Sequence, residues 1–129
     1  MNLLQEKLGY SFKNPELLSE AITHTSFSAE HNSSKNNERL EFLGDSVLGL
    51  VVSGFLFEKF PEKDEGFLSK SKAFLVSRET MAEWASELQL GHYLLMGVGE
   101  VLSGGKNRRN NLANAMEAVL GAVRYCSHL

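Results

Sequence analysis

The run Glu38-Arg39-Leu40-Glu41-Phe42-Leu43-Gly44-Asp45-Ser46-Val47-Leu48 interleaves acids and apolar residues at helical spacing. Glu38 and Glu41 are three apart, and Glu41 and Asp45 four apart. On a helix such residues share a face, with Cβ atoms about 5–6 Å from each other. Like charges at that spacing repel. Two readings follow. The acids form a solvated face at a helix N-terminus, where the dipole favours carboxylates, or they are a cluster neutralised by a cation. Gly44 bears on the choice. A glycine in mid-helix costs ~1 kcal/mol against alanine, which makes sense if another backbone packs close there.

Through this run and beyond it, Leu40, Leu43, Val47, Leu50 and Val51 form one stripe. The spacing predicts a long helix over residues 38–60, stopped before Pro61. Upstream, Asn14-Pro15-Glu16 reads as an N-cap, a proline at the first helical position and an acid in the first turn. Residues 23–37 are polar and Ser/Asn-rich, which predicts a loop. Helices are expected over 67–76 and 79–88, with Ser77 capping the second and Gly91 closing it. Residues 97–111 are Gly-rich and then basic. A last helix covers 112–125. No strand alternation persists, so the expected fold class is all-α.

That last helix carries Asn114 and Glu117, three apart, among apolar neighbours. A lone buried Glu is costly without a partner. If the two long helices lie side by side, Glu41, Asp45, Asn114 and Glu117 converge into an all-oxygen set suited to a hard cation such as Mg²⁺.

Composition bounds the alternatives. The chain has 129 residues, 43% hydrophobic and 22% charged, which fits one globular domain rather than a disordered segment. A single cysteine, Cys126, excludes an intramolecular disulfide and disfavours a Cys-based zinc site. Lys+Arg number 13 against 16 Asp+Glu, net −3, so bulk charge does not drive nucleic-acid binding. The apolar runs are short and no signal-peptide pattern is visible, so the expectation is a cytoplasmic protein with no membrane partner. His24, His31, His92 and His128 show no metal-ligand spacing and read as structural or surface residues.

The motifs resemble those of the ribonuclease III endonuclease domain. ERLEFLGDSVL is similar to that family's signature. Ala21-Ile22-Thr23-His24-Thr25-Ser26-Phe27 resembles its "ALTHKSF" segment, Glu65-Gly66-Phe67-Leu68-Ser69-Lys70 its "EGxLSK", residues 88–95 its "LGLGxYLL", and residues 113–122 its "ADAxEAxxGA". The resemblance implies an all-helical homodimer that cuts double-stranded RNA with Mg²⁺ (Mn²⁺ as a substitute), leaving 5′-phosphate and 3′-hydroxyl ends. It places Glu41, Asp45, Asn114 and Glu117 at the metal, with Asp45 and Glu117 catalytic and Glu38 and Glu65 as supporting acids. Phe42 falls where the family plugs into the partner subunit; its other reading is ordinary core. Lys70, Lys72, Lys106, Arg108 and Arg109 are the candidate RNA contacts, the last three alternatively a solvated loop. His24 and Ser26 are expected to tie their loop to the helices.

Two departures stand out. Asn114 occupies the family's Asp position, which implies weakened metal binding and impaired cleavage. The chain also reads as one domain over 1–129 with an incomplete C-terminal helix and no double-stranded-RNA-binding domain. The alternative function is a non-catalytic RNA-binding or ribosome-associated structural protein of the same fold.

Overall fold

A computed structural model describes residues 1–127. Among them run eight α-helices: α1 (Asn2–Leu8), α2 (Pro15–Ala21), α3 (Thr25–Glu30), α4 (Glu38–Lys59), α5 (Glu65–Leu75), α6 (Arg78–Glu87), α7 (Val98–Leu102) and α8 (Arg109–Ser127). Short 3₁₀ turns lie at Leu90–Tyr93 and Gly105–Asn107. The extended pairing among the described residues is one isolated bridge, Thr23 to Leu95. The all-α expectation holds.

Side-chain caps explain four of the helix starts. Asn14 Oδ1 accepts the Glu16 backbone N–H at 3.2 Å, and Ser77 Oγ accepts that of Thr80 at 3.2 Å. Asp64 caps α5 by accepting the Phe67 N–H at 3.0 Å, so α5 begins at Glu65, two residues before the expected start. Residues 23–37 are not all loop. The His24 ring caps α3 at Ser26 N–H, 3.1 Å away, a role composition does not signal. Ser26 Oγ accepts the Gly97 N–H at 2.9 Å, and His24 N–H donates to the Leu95 carbonyl at 2.9 Å. His24 and Ser26 thus tie the start of α3 to the segment 95–97 before α7, where the expectation was a loop tied to the helices.

Gly91 does not close α6. The left-handed residue after that helix is Gln89, with φ 56°. Gly91 is needed for another reason: a Cβ there would stand 2.5 Å from the Lys106 carbonyl oxygen. Residues 97–111 likewise contain α7 and a 3₁₀ turn, rather than a plain loop.

The core is built around α4 and α8. Leu40, Gly44, Leu48, Val52 and Leu56 form the buried ridge of α4. They advance four residues per turn, so the ridge winds slowly round the helix. α8 is rich in small buried residues: Ala113, Ala115, Ala118 and Ala122 are fully buried. At the crossing the two backbones touch. A Cβ on Gly44 would lie 1.7 Å from the Glu117 carbonyl oxygen, and one on Gly121 would lie 2.2 Å from that of Leu40. Gly44 therefore pays its helix penalty for close approach, as its position suggested.

The expected stripe on α4 is half wrong. Leu50 and Val51 are 72% and 61% exposed. Helical period alone does not say which apolar face this domain covers. Phe42, Phe55 and Phe57 are exposed too, and α5 adds Phe74. By length and composition α4 could also cross a membrane, with mean hydropathy 1.7, which the short-run reading had not anticipated. Here its buried ridge lies in the core of the domain.

Candidate active site

Close contact between α4 and α8 places acids of both helices around one cleft. It has a volume of about 510 Å³ and is lined by Glu38, Glu41, Phe42, Asp45, Val76, Arg78 and Glu117. Glu117 is buried at 8% exposure, while Asp45 and Glu38 stay exposed. Burial, then a hydrogen bond with Asp45, pushes the Glu117 carboxyl up to about 7. The charges of Asp45 and Glu41 add to this, and Arg78 opposes it. Glu41 is raised as well, first by burial; Arg78 pulls it back while Glu38 and Asp45 push it further. Glu38 and Asp45 keep the exposure that the solvated-face reading expects, while Glu41 is half-buried and all three line the cleft with buried Glu117.

Arg78 is the residue the sequence analysis missed. Its Nη2 donates to Asn114 Oδ1 at 2.6 Å, and its Nη1 stands 3.6 Å from Glu117 Oε1. One signal was available. Arg78 is the first residue of α6, directly after its Ser77 cap, where the helix dipole disfavours a cation. Such a placement calls for acids from elsewhere.

The other candidates are placed differently. Glu65 sits in the first turn of α5, accepting from Ser69 Oγ at 2.5 Å, and is not part of the cleft wall. Phe42 is 79% exposed, which rules out the core reading within this chain. Arg108 is bound to Glu100 and donates to the Ser103 carbonyl at 3.1 Å, closing its own loop. Arg109 reaches the Glu79 carbonyl at 3.3 Å. Lys72 lies along α4 beside Gly49. Lys70 is exposed and Lys106 half-buried, and neither forms an ion pair among the described residues. His128 lies outside the described residues.

The donor set suits a hard divalent cation: Glu41, Asp45, Glu117 and the Asn114 amide offer oxygen only. Among the described residues no three acids already stand at ligating spacing. Their mutual repulsion and the proton retained by Glu117 are what a bound cation would relieve. The residues fit such an ion by chemistry.

The ribonuclease-III-like family model matches residues 14–127. The chain belongs to the ribonuclease-III-like family. It is 52% identical over 122 residues to Ribonuclease 3 of Wigglesworthia glossinidia brevipalpis, covering 95% of this chain and 52% of that protein. It is 50% identical over 123 residues to Ribonuclease 3 of Proteus mirabilis, covering 95% and 52%. The chain thus spans about half the length of the curated relatives it matches. Among solved structures it resembles the nuclease domain of ribonuclease III from Campylobacter jejuni, with TM-score 0.92 and 46% identity over 97% of this chain and 85% of that one. Dicer from Pichia stipitis matches at TM-score 0.69 and 29% identity, over 92% of this chain and 49% of that one.

In this ribonuclease-III-like cleft the burial of Glu117 makes stability depend on pH. The folded Glu117 carboxyl titrates near 7, against 4.5 for a free one. Between those values the folded chain holds a proton that the unfolded chain has shed, so stability falls as pH rises. In chelator-treated buffer, Glu117→Gln should remove a loss of roughly 3 kcal/mol between pH 4.5 and 8. Urea unfolding of both proteins at several pH values checks it. Parallel curves would show that Glu117 titrates normally.

Proposed function

We propose that this chain is the nuclease domain of a Mg²⁺-dependent endoribonuclease that cleaves double-stranded RNA as a homodimer, one cleft per subunit, with Mn²⁺ as a substitute ion. The convergence of Glu41, Asp45 and Glu117 on one cleft beside the α4–α8 crossing, in a chain of this family, carries the reading.

Glu41, Asp45, Asn114 and Glu117 would hold the ion, with Asp45 and Glu117 closest to the chemistry and Glu38 and Glu65 in supporting roles. When bound, such an ion activates water for attack on the phosphodiester and offsets charge that builds up in the transition state. The protein's own part is to keep the carboxylates within reach of one another. The rigid, glycine-mediated helix contact does this. A-form RNA is recognised through shape, phosphate and 2′-OH contacts, so a few placed cations suffice despite the acidic balance. Lys70, Lys72, Lys106, Arg108 and Arg109 are the proposed set. Lys70 and Lys106 lead it, because Arg108 is already engaged by Glu100.

Asn114 impairs cleavage in this reading, since it supplies an uncharged oxygen where the family supplies a carboxylate. The test is Mg²⁺-dependent cutting of a perfect RNA duplex by this chain and by Asn114→Asp. Binding without cutting by either would instead favour a non-catalytic RNA-binding or ribosome-associated structural protein.

The exposed apolar residues of α4 support the homodimer. Phe42, Leu50, Val51, Phe55 and Phe57 are large apolar side chains that α4 leaves more than half exposed, and such side chains are what a partner surface covers. The Campylobacter jejuni nuclease domain is described with a region involved in dimer formation. Phe42→Glu should weaken dimerisation by roughly thirtyfold or more, the effect of losing one strong interface anchor. Helical circular dichroism should persist, because Phe42 is outside the core. Sedimentation showing an unchanged dimer would exclude Phe42 from the contact.

A further inference from the structure

We propose that Arg78 is a latch on the α8 side of the cleft: it holds the side-chain oxygen of Asn114 and the carboxylate of Glu117, and must let go before either serves a divalent cation. The inference rests on the metal-dependent reading above and assigns a residue that reading does not use.

The geometry is specific. A guanidinium has donors only, so the atom of Asn114 that faces it at 2.6 Å must be the amide oxygen. Asn114 has just that one side-chain oxygen, and its NH₂ group cannot ligate a cation. An aspartate could hold Arg78 with one oxygen and present the other. Asn114 cannot do both as freely. The second arm of the same guanidinium lies 3.6 Å from Glu117 Oε1. Arg78 therefore engages, with one fork, Glu117, which lines the cleft with Glu41 and Asp45, and Asn114, one helical turn before it on α8.

Charge acts in the same direction. A fixed positive charge a few ångströms from a divalent ion opposes its binding, by roughly tenfold in affinity for a pair so close to solvent. Release is cheap, because the Arg78 side chain is 53% exposed and can extend into water. The result is a site whose metal affinity depends on a side chain from a third helix. Phosphate oxygens of an arriving duplex are the natural competitor for the guanidinium, since Arg forks onto phosphate as it does onto carboxylate.

The experiment measures metal binding without RNA and without turnover. Mn²⁺ binding to the whole chain is followed by electron paramagnetic resonance, and Mg²⁺ binding by calorimetry. Arg78→Gln is expected to bind about tenfold tighter than the natural chain. Arg78→Lys, which keeps the charge but cannot fork onto both partners, is expected to fall between them. Melting in chelator confirms that the variants fold. Equal or weaker affinity in Arg78→Gln overturns the latch and leaves the metal-dependent reading standing. No binding by any of the three proteins overturns both.

Discussion

Gly44→Ala is expected to melt roughly 10–15 °C below the natural chain. Helix propensity alone predicts the opposite, since alanine gains ~1 kcal/mol over glycine in a helix. The contact decides the sign. The added methyl would stand 1.7 Å from the Glu117 carbonyl oxygen, which is backbone and has no rotamer to yield. The α4–α8 crossing must open by more than an ångström, at a cost of about 3–4 kcal/mol net. Gly54 is the control. Nothing lies within 4 Å of its would-be Cβ, so Gly54→Ala should gain up to ~1 kcal/mol. Opening the crossing also parts Asp45 from Glu117, so Gly44→Ala should lower the Glu117 pKa toward its ordinary value. A variant melting at or above the natural chain would show that the backbones do not touch.

Asn114→Asp is expected to raise Mg²⁺-dependent cleavage of duplex RNA by about 10- to 100-fold, the range typical of changes to a metal's ligands and their supports. Two physical effects act together. The aspartate restores a negative charge to the donor set, which strengthens divalent binding. It also brings a second oxygen, so Arg78 can keep one while the other turns to the cleft. Gel assays on a perfect duplex, with the Mg²⁺ concentration varied, separate these effects. A charge effect lowers the Mg²⁺ needed for half-maximal cutting, whereas better placement raises the rate at saturating Mg²⁺. No rise at any Mg²⁺ concentration would mean that Asn114 is not the limiting residue.

Much of the fold was legible before the structure. Pro15 and Pro61, the Ser77 cap and the spacing over residues 38–60 placed helix boundaries, because these signals act locally. The long helix, the last helix and the all-α class follow from them. The site was legible in part. Glu41, Asp45 and Glu117 line one cleft, as expected if the two long helices lie side by side, whereas Asn114, expected with them, is held by Arg78 and is not part of the cleft wall; Gly44 pointed correctly to a close helix contact. Other features were hidden for identifiable reasons. The α3 helix is capped by a histidine ring that no composition rule marks. Gly91 looked like a helix terminator, but its requirement comes from the Lys106 carbonyl, fifteen residues away in sequence. Leu50 and Val51 fit the helical period yet remain exposed, because period identifies an apolar face without naming its cover.

By itself, the sequence determined the longer helices and the family: local caps and breakers act within a few residues, and the ordered acidic motifs carry the resemblance. It also determined that one acid is missing, since Asn114 is a matter of residue identity. Only the tertiary structure decided what surrounds that position. Backbone contact at Gly44 and Gly121 sets the distance between α4 and α8, and that distance buries Glu117 beside Asp45 and raises its pKa. Packing of α6 on α8 brings Arg78 onto Asn114 and Glu117. These outcomes depend on separations of a few ångströms between residues thirty or more positions apart, which no local pattern encodes.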